Sequence, residues 1–200
     1  LNPTHKALRA GTAEAHERVD KAFAAFDLTD RDSYARFLRA HAELVLPLED
    51  TLPGERIVPD WEDRKRGALL REDLAFLRPL RHPRESGGPS PALSAQDDTE
   101  EMGPRFRGGD DWELDTDPAI AGALYVLEGS RLGGRFLVRQ VPHTFPRAYL
   151  DADQPAEKWR NLLDRFDTIL YQPARLQSAL AAAHTVFAAF ERSAQFWAKG

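Results

Sequence analysis

The chain of 200 residues contains no cysteine. That absence removes disulfides, thiolate metal sites, cysteine-held iron–sulfur clusters and a thiol nucleophile together. An excess of positive charge is also missing: 27 Lys and Arg stand against 32 Asp and Glu, a net of −5. Phosphate backbones are gripped by clustered cations, so nucleic acid is not an expected partner. No apolar run reaches the roughly 18 residues of a membrane span, and the opening LNPTHKALRAG has no apolar centre of the secretory kind. The expectation is a cytoplasmic protein without membrane contact. Segments alternating with period two are lacking as well, which argues against sheets.

What the chain does carry is helical periodicity. Asn2 can cap and Pro3 suits a first helical position, and apolar or small residues then recur at Leu8, Thr12, Ala15, Val19, Ala22, Phe23 and Phe26. A second helix is expected from Asp30 or Asp32 through Tyr34, Phe37, Leu38, His41, Leu44, Val45 and Leu48, with Pro47 kinking or ending it. A third is expected from Asp60 and Trp61 through Leu77. Asp117 and Pro118 open a fourth that runs to Leu137, Pro155 a fifth and Pro173 the last. Between them, residues 81–111 are rich in Pro, Gly, Ser and charge without a period that buries a face, and read as an inserted loop. The predicted fold is all-α, a bundle of six or more helices forming one domain over 1–200, with 42% hydrophobic residues to build its core.

The fourth helix holds LEGSRLGG at 127–134. Each interior glycine costs about 1 kcal/mol relative to alanine, so Gly129, Gly133 and Gly134 need a reason. Helix–helix contact of the small-xxx-small kind is one. A gap cut for a planar ligand is the other, with Ser130 beside it to contribute a hydroxyl or hold a water.

The six histidines include no HExxH, and none has Glu or Asp three residues before it, so zinc-protease and di-iron Glu-x-x-His patterns are absent. A single axial histidine remains open. His16 lies beside the first helix's apolar stripe, with Thr12 one turn and Arg9 two turns earlier. Seven helical residues rise roughly 10 Å, so a haem whose iron met His16 would bring a propionate within reach of Arg9. A lone histidine in such a place is more often a hydrogen-bonded boundary residue, and His41, squarely on an apolar face, competes as ligand. Arg131, Arg135 and Arg139, spaced by four, form a basic stripe that reads either as a solvated face or as a dock for an acidic electron donor.

LRAGTAEAHERVD at 8–20 and ALYVLEGSRLGGRFLVR at 123–139 together resemble the proximal and distal helices of bacterial haem oxygenases, especially those associated with bacteriophytochromes. The resemblance spans roughly 5–78 and 115–197; 81–111 has no counterpart. It implies a haem-oxygenase-like helical bundle with the ligand held between the first helix and a glycine-bent distal helix. It further implies that His16 is the axial iron ligand, that Arg9 and Tyr125 meet propionates with Lys158 or Arg160, and that Phe187 packs near the pocket. Gly129, Ser130, Gly133 and Gly134 match the family's distal run, Ser130 replacing an aspartate of animal members. The implied reaction opens haem, both cofactor and substrate, to biliverdin, CO and Fe2+ with O2 and external electrons. A ferredoxin or flavoprotein reductase would be the donor, since the chain has no dinucleotide fingerprint and no cysteine, and a bacteriophytochrome would be one acceptor for the bilin.

Other readings stay open beside it. A thiaminase-like enzyme on the same scaffold would need a cysteine nucleophile. A haem carrier or sensor that does not degrade its ligand, and a plain helical interaction protein, meet no such obstacle.

Overall fold

The computed structural model describes residues 2–78, 114–153 and 155–199, and among them there is helix and no strand. The elements are α1 (Pro3–Phe23), α2 (Arg31–Thr51), α3 (Gly67–Leu77), α4 (Asp117–Leu137), α5 (Ala148–Asp151), α6 (Ala156–Ile169) and α7 (Pro173–Trp197), with short 3₁₀ turns at Gly54–Arg56 and Glu62–Arg64. The segment 81–111 lies outside the described residues.

Caps written in the sequence start the principal helices. The Asn2 side chain accepts the N–H of His5, Asp30 accepts that of Ser33, and Thr116 accepts that of Ala119 ahead of Pro118. Two expectations need correcting. Pro47 does not end its helix, because α2 continues to Thr51; Leu44, Val45 and Leu48 are all buried around the proline, and their packing outweighs one missing N–H donor. Asp60 and Trp61 do not begin the third helix. They lead into a 3₁₀ turn, Trp61 is buried as an anchor, and α3 starts at Gly67. Its N-terminus is capped from a distance: Glu49 of α2 accepts the N–H of Arg66 at 2.8 Å and of Gly67 at 2.6 Å.

The long closing helix α7 is the spine. α1, α2 and α4 all pack along it, whereas α1 and α4 scarcely touch one another. The α4–α7 crossing is tight at Gly122, where a Cβ would overlap the carbonyl oxygen of Ala179. Around it Ile120, Leu124, Ala179, Ala183, Val186 and Ala194 are fully enclosed. α1 and α4 thus sit on one support with few contacts between them, and the interval between their facing sides is termed the slot. No helix among the described residues is long and apolar enough to cross a membrane.

Candidate functional site

One face of α1 borders the slot. His5, Arg9, Thr12 and His16 follow each other at intervals of four, three and four, so they form a strip along the helix. Thr12 is buried and donates its hydroxyl to the Leu8 carbonyl at 2.8 Å; Arg9 is exposed. His16 presents 62% of its side chain, with Nδ1 2.9 Å from Asp20 Oδ2 and its ring edge-on to Phe187 of α7 at 5.8 Å. A carboxylate on Nδ1 fixes the tautomer in which Nδ1 carries the proton, and leaves Nε2 with a lone pair for a metal.

His41 is in a different position. Its Nδ1 meets the Phe37 carbonyl at 2.9 Å, and the rings of Phe23, Phe37, Tyr149 and Phe190 surround it at 4.4, 4.4, 5.6 and 5.9 Å. Burial brings its pKa down to about 4, helped by the charge of Arg66 and opposed by the Phe37 carbonyl. That is a neutral histidine built into the core.

The bridge from α4 back to α1 is Tyr125. Its ring lies 6.3 Å from His5 and 6.2 Å from Trp159 of α6, and Trp159 stands edge-on to His5 at 5.8 Å. Burial pushes the Tyr125 phenol up, against a hydrogen bond with Thr12 and the nearby charge of Arg9. Of the two basic residues considered on α6, Lys158 points its Nζ to Asp60 at 3.6 Å and Arg160 is exposed. The residue of that helix that reaches the slot is Trp159, which the spacing of charges alone does not reveal.

The glycines of α4 separate by what surrounds them. A Cβ on Gly134 would meet the Leu150 carbonyl at 3.1 Å, so Gly134 serves packing against α5. A Cβ on Gly129 would find nothing nearer than Trp159 at 4.0 Å, and one on Gly133 nothing within 4 Å. Helix–helix contact therefore does not account for Gly129 and Gly133. Two residues whose substitution would add helix propensity without a clash mark a face kept bare for something else. In kind these residues suit a haem: an exposed imidazole on α1 and a stretch of α4 without side chains. Among the described residues no three His, Asp or Glu side chains converge as an ion site.

Ser130 faces away from that role. Its hydroxyl donates to the Leu127 carbonyl at 2.7 Å and accepts from Arg66 at 3.0 Å. The basic stripe is not continuous in the folded chain. Arg131 is buried, joined to Glu128 at 3.0 Å, and Glu128 also holds the buried Arg64 at 3.0 Å. The attraction of Glu128 three residues earlier drew Arg131 inward. Arg135 and Arg139 remain on the surface, the first 3.5 Å from Asp153 and the second over the Phe136 ring.

With this geometry in view, comparison with known proteins is decisive: a model of the family described as Heme oxygenase matches residues 2–195. The chain belongs to the haem oxygenase family. A haem oxygenase of Xanthomonas campestris pv. campestris (strain 8004) is 33% identical over 176 residues, covering 84% of this chain and 88% of that protein. The fold is shared with the haem oxygenase of Neisseria meningitidis, crystallised with NO and CO bound, at a TM-score of 0.70 and 18% identity, covering 98% of this chain and 92% of that one. It is shared equally with the haem oxygenase of Leptospira interrogans, at a TM-score of 0.69 and 18% identity over 98% and 99% of the two chains. The expected haem-oxygenase-like all-helical bundle is the fold observed.

Proposed function

We propose that this haem oxygenase family member oxidatively opens haem to biliverdin, CO and Fe2+. The observation that carries the reading is His16: Asp20 occupies Nδ1, and Nε2 is left as a metal ligand on an exposed ring beside the slot. Bound haem would supply the iron at which O2 is activated; the remaining work belongs to the chain. His16 would hold the iron, Asp20 selects the tautomer whose Nε2 carries the lone pair and strengthens it as a donor, and Phe187 steadies its ring. Arg9 is an exposed cation for a propionate, with the Tyr125 hydroxyl and Thr12 next to it. The backbone at Gly129 and Gly133, free of side chains, would form the other wall and leave room there for a diatomic ligand.

Gly134 and Ser130 support that wall from behind. Electrons come from outside the chain, from a ferredoxin or flavoprotein reductase, and a bacteriophytochrome is one class of bilin acceptor. The chain works in this reading as one haem oxygenase domain in the cytoplasm. Mixing the chain with hemin, O2 and an electron source tests the assignment. Loss of the Soret band with growth of bilin absorbance is expected; retention of intact haem would make the protein a carrier or sensor instead.

A further inference from the structure

Arg66 lies outside the slot, in the connection between α2 and α3, yet its guanidinium reaches the softest part of α4. Nη2 donates to Ser130 Oγ at 3.0 Å and to the Leu127 carbonyl at 3.3 Å. Ser130 gives its own proton to that carbonyl at 2.7 Å, so the hydroxyl has none left to offer a water in the slot. In a regular helix the Leu127 carbonyl serves the N–H four residues on; here it carries two further donors. Side-chain bonds of this kind draw a carbonyl outward and bend the helix at that point.

Arg66 is itself fixed. It is 4% exposed, its guanidinium lies over the Tyr149 ring at 4.7 Å, and its backbone N–H is held by Glu49 at 2.8 Å. A planar fork so enclosed has little freedom to follow a moving helix. Gly129, Gly133 and Gly134 soften the adjoining backbone, and the anchor meets the helix immediately beside them.

We infer that Arg66 is a positioning residue: by holding Ser130 and the Leu127 carbonyl from behind, it fixes how far the bare backbone at Gly129 and Gly133 stands from the His16 imidazole. This rests on the haem reading of the slot. Lysine in its place would hold one acceptor from a flexible stem, and methionine neither.

The C–O stretching band of the ferrous CO complex reads the wall facing the sixth iron position directly. We expect one narrow band for the full wild-type chain, a broadened or shifted band for Arg66→Met, and partial recovery for Arg66→Lys. Ser130→Ala moves the band the same way, and the double variant Arg66→Met/Ser130→Ala moves it no further than Arg66→Met, because both break one link. Turnover by Arg66→Met falls roughly tenfold, the rate equivalent of a lost hydrogen bond from a charged donor. A wild-type band in Arg66→Met, or shifts that simply add, overturns the inference. Should Arg66→Met fail to fold, unchanged bands in both Arg66→Lys and Ser130→Ala overturn it equally. Hemin uptake by the wild type separates the two levels: without uptake the slot reading falls too, and with it an insensitive band removes only the role of Arg66.

Discussion

Nδ1 of His16 lies 2.9 Å from Oδ2 of Asp20, one turn further along α1. Both side chains are largely exposed, so the pair adds little to the stability of the empty protein. Its effect is on the imidazole. Removing the carboxylate with Asp20→Ala leaves the ring free to rotate and removes the acceptor that selects its tautomer, and hemin affinity should fall about 10- to 100-fold, as outer-shell losses at metal sites do. Asp20→Asn, which still offers an oxygen, should fall between. Hemin titrations of the three proteins check this.

Gly133 and Gly122 should respond to alanine in opposite senses. In the ligand-free protein Gly133→Ala meets open space and raises stability by about 1 kcal/mol through helix propensity. Gly122→Ala forces a methyl group into the Ala179 carbonyl and costs about 1–3 kcal/mol. Thermal melts distinguish them. The stabilised Gly133→Ala protein should nevertheless form bilin more slowly, since the methyl group stands on the face kept for the ligand.

Glu128 holds two buried arginines, Arg64 and Arg131, each at 3.0 Å. Glu128→Gln leaves both cations in the core without that carboxylate, and breaking such an arrangement costs about 3–5 kcal/mol. Urea denaturation should show it as a lower midpoint with an unchanged slope.

His41 gives the fold an acid-sensitive point. Its pKa is about 4 in the folded chain against 6.5 ordinarily, so the unfolded chain takes up the proton first as pH falls. Stability tied to His41 is whole above pH 6.5, is lost progressively down to about pH 4, and amounts to roughly 3 kcal/mol in all. His5, also shifted down by burial, acts in the same direction. Glu43, Glu49 and Asp73, pushed up by burial, act in the opposite one. The difference between wild type and His41→Leu isolates the histidine: the variant's stability should fall less between pH 6.5 and 4. Parallel curves would show that His41 takes up its proton alike in the folded and unfolded chain.

The ends of the helices were legible because their caps are local. Asn2 with Pro3 carries its signal within four residues, and at α4 Asp117 with Pro118 marks the start while the cap itself is Thr116, one residue earlier. The start of α3 was not, since its cap is Glu49, 17 residues back and on another helix. Pro47 misled for the complementary reason, a local rule yielding to the burial of its neighbours. In the candidate site, His16 and the glycine run stood out by residue type. Asp20 was equally visible at i+4, but a His-x-x-x-Asp spacing on an exposed surface gains meaning only when the contact is seen. Trp159 and Arg66 come from segments brought in by the tertiary fold, and no spacing along the chain announces them.

The central claim is that His16 is the protein's ligand to haem iron. The absorption spectrum of the hemin complex of His16→Ala, recorded with and without added imidazole, tests it most directly. Loss of the histidine-ligated ferric spectrum, and its return when imidazole fills the vacated space, is the predicted result. A spectrum identical to that of the wild type without imidazole would contradict the account.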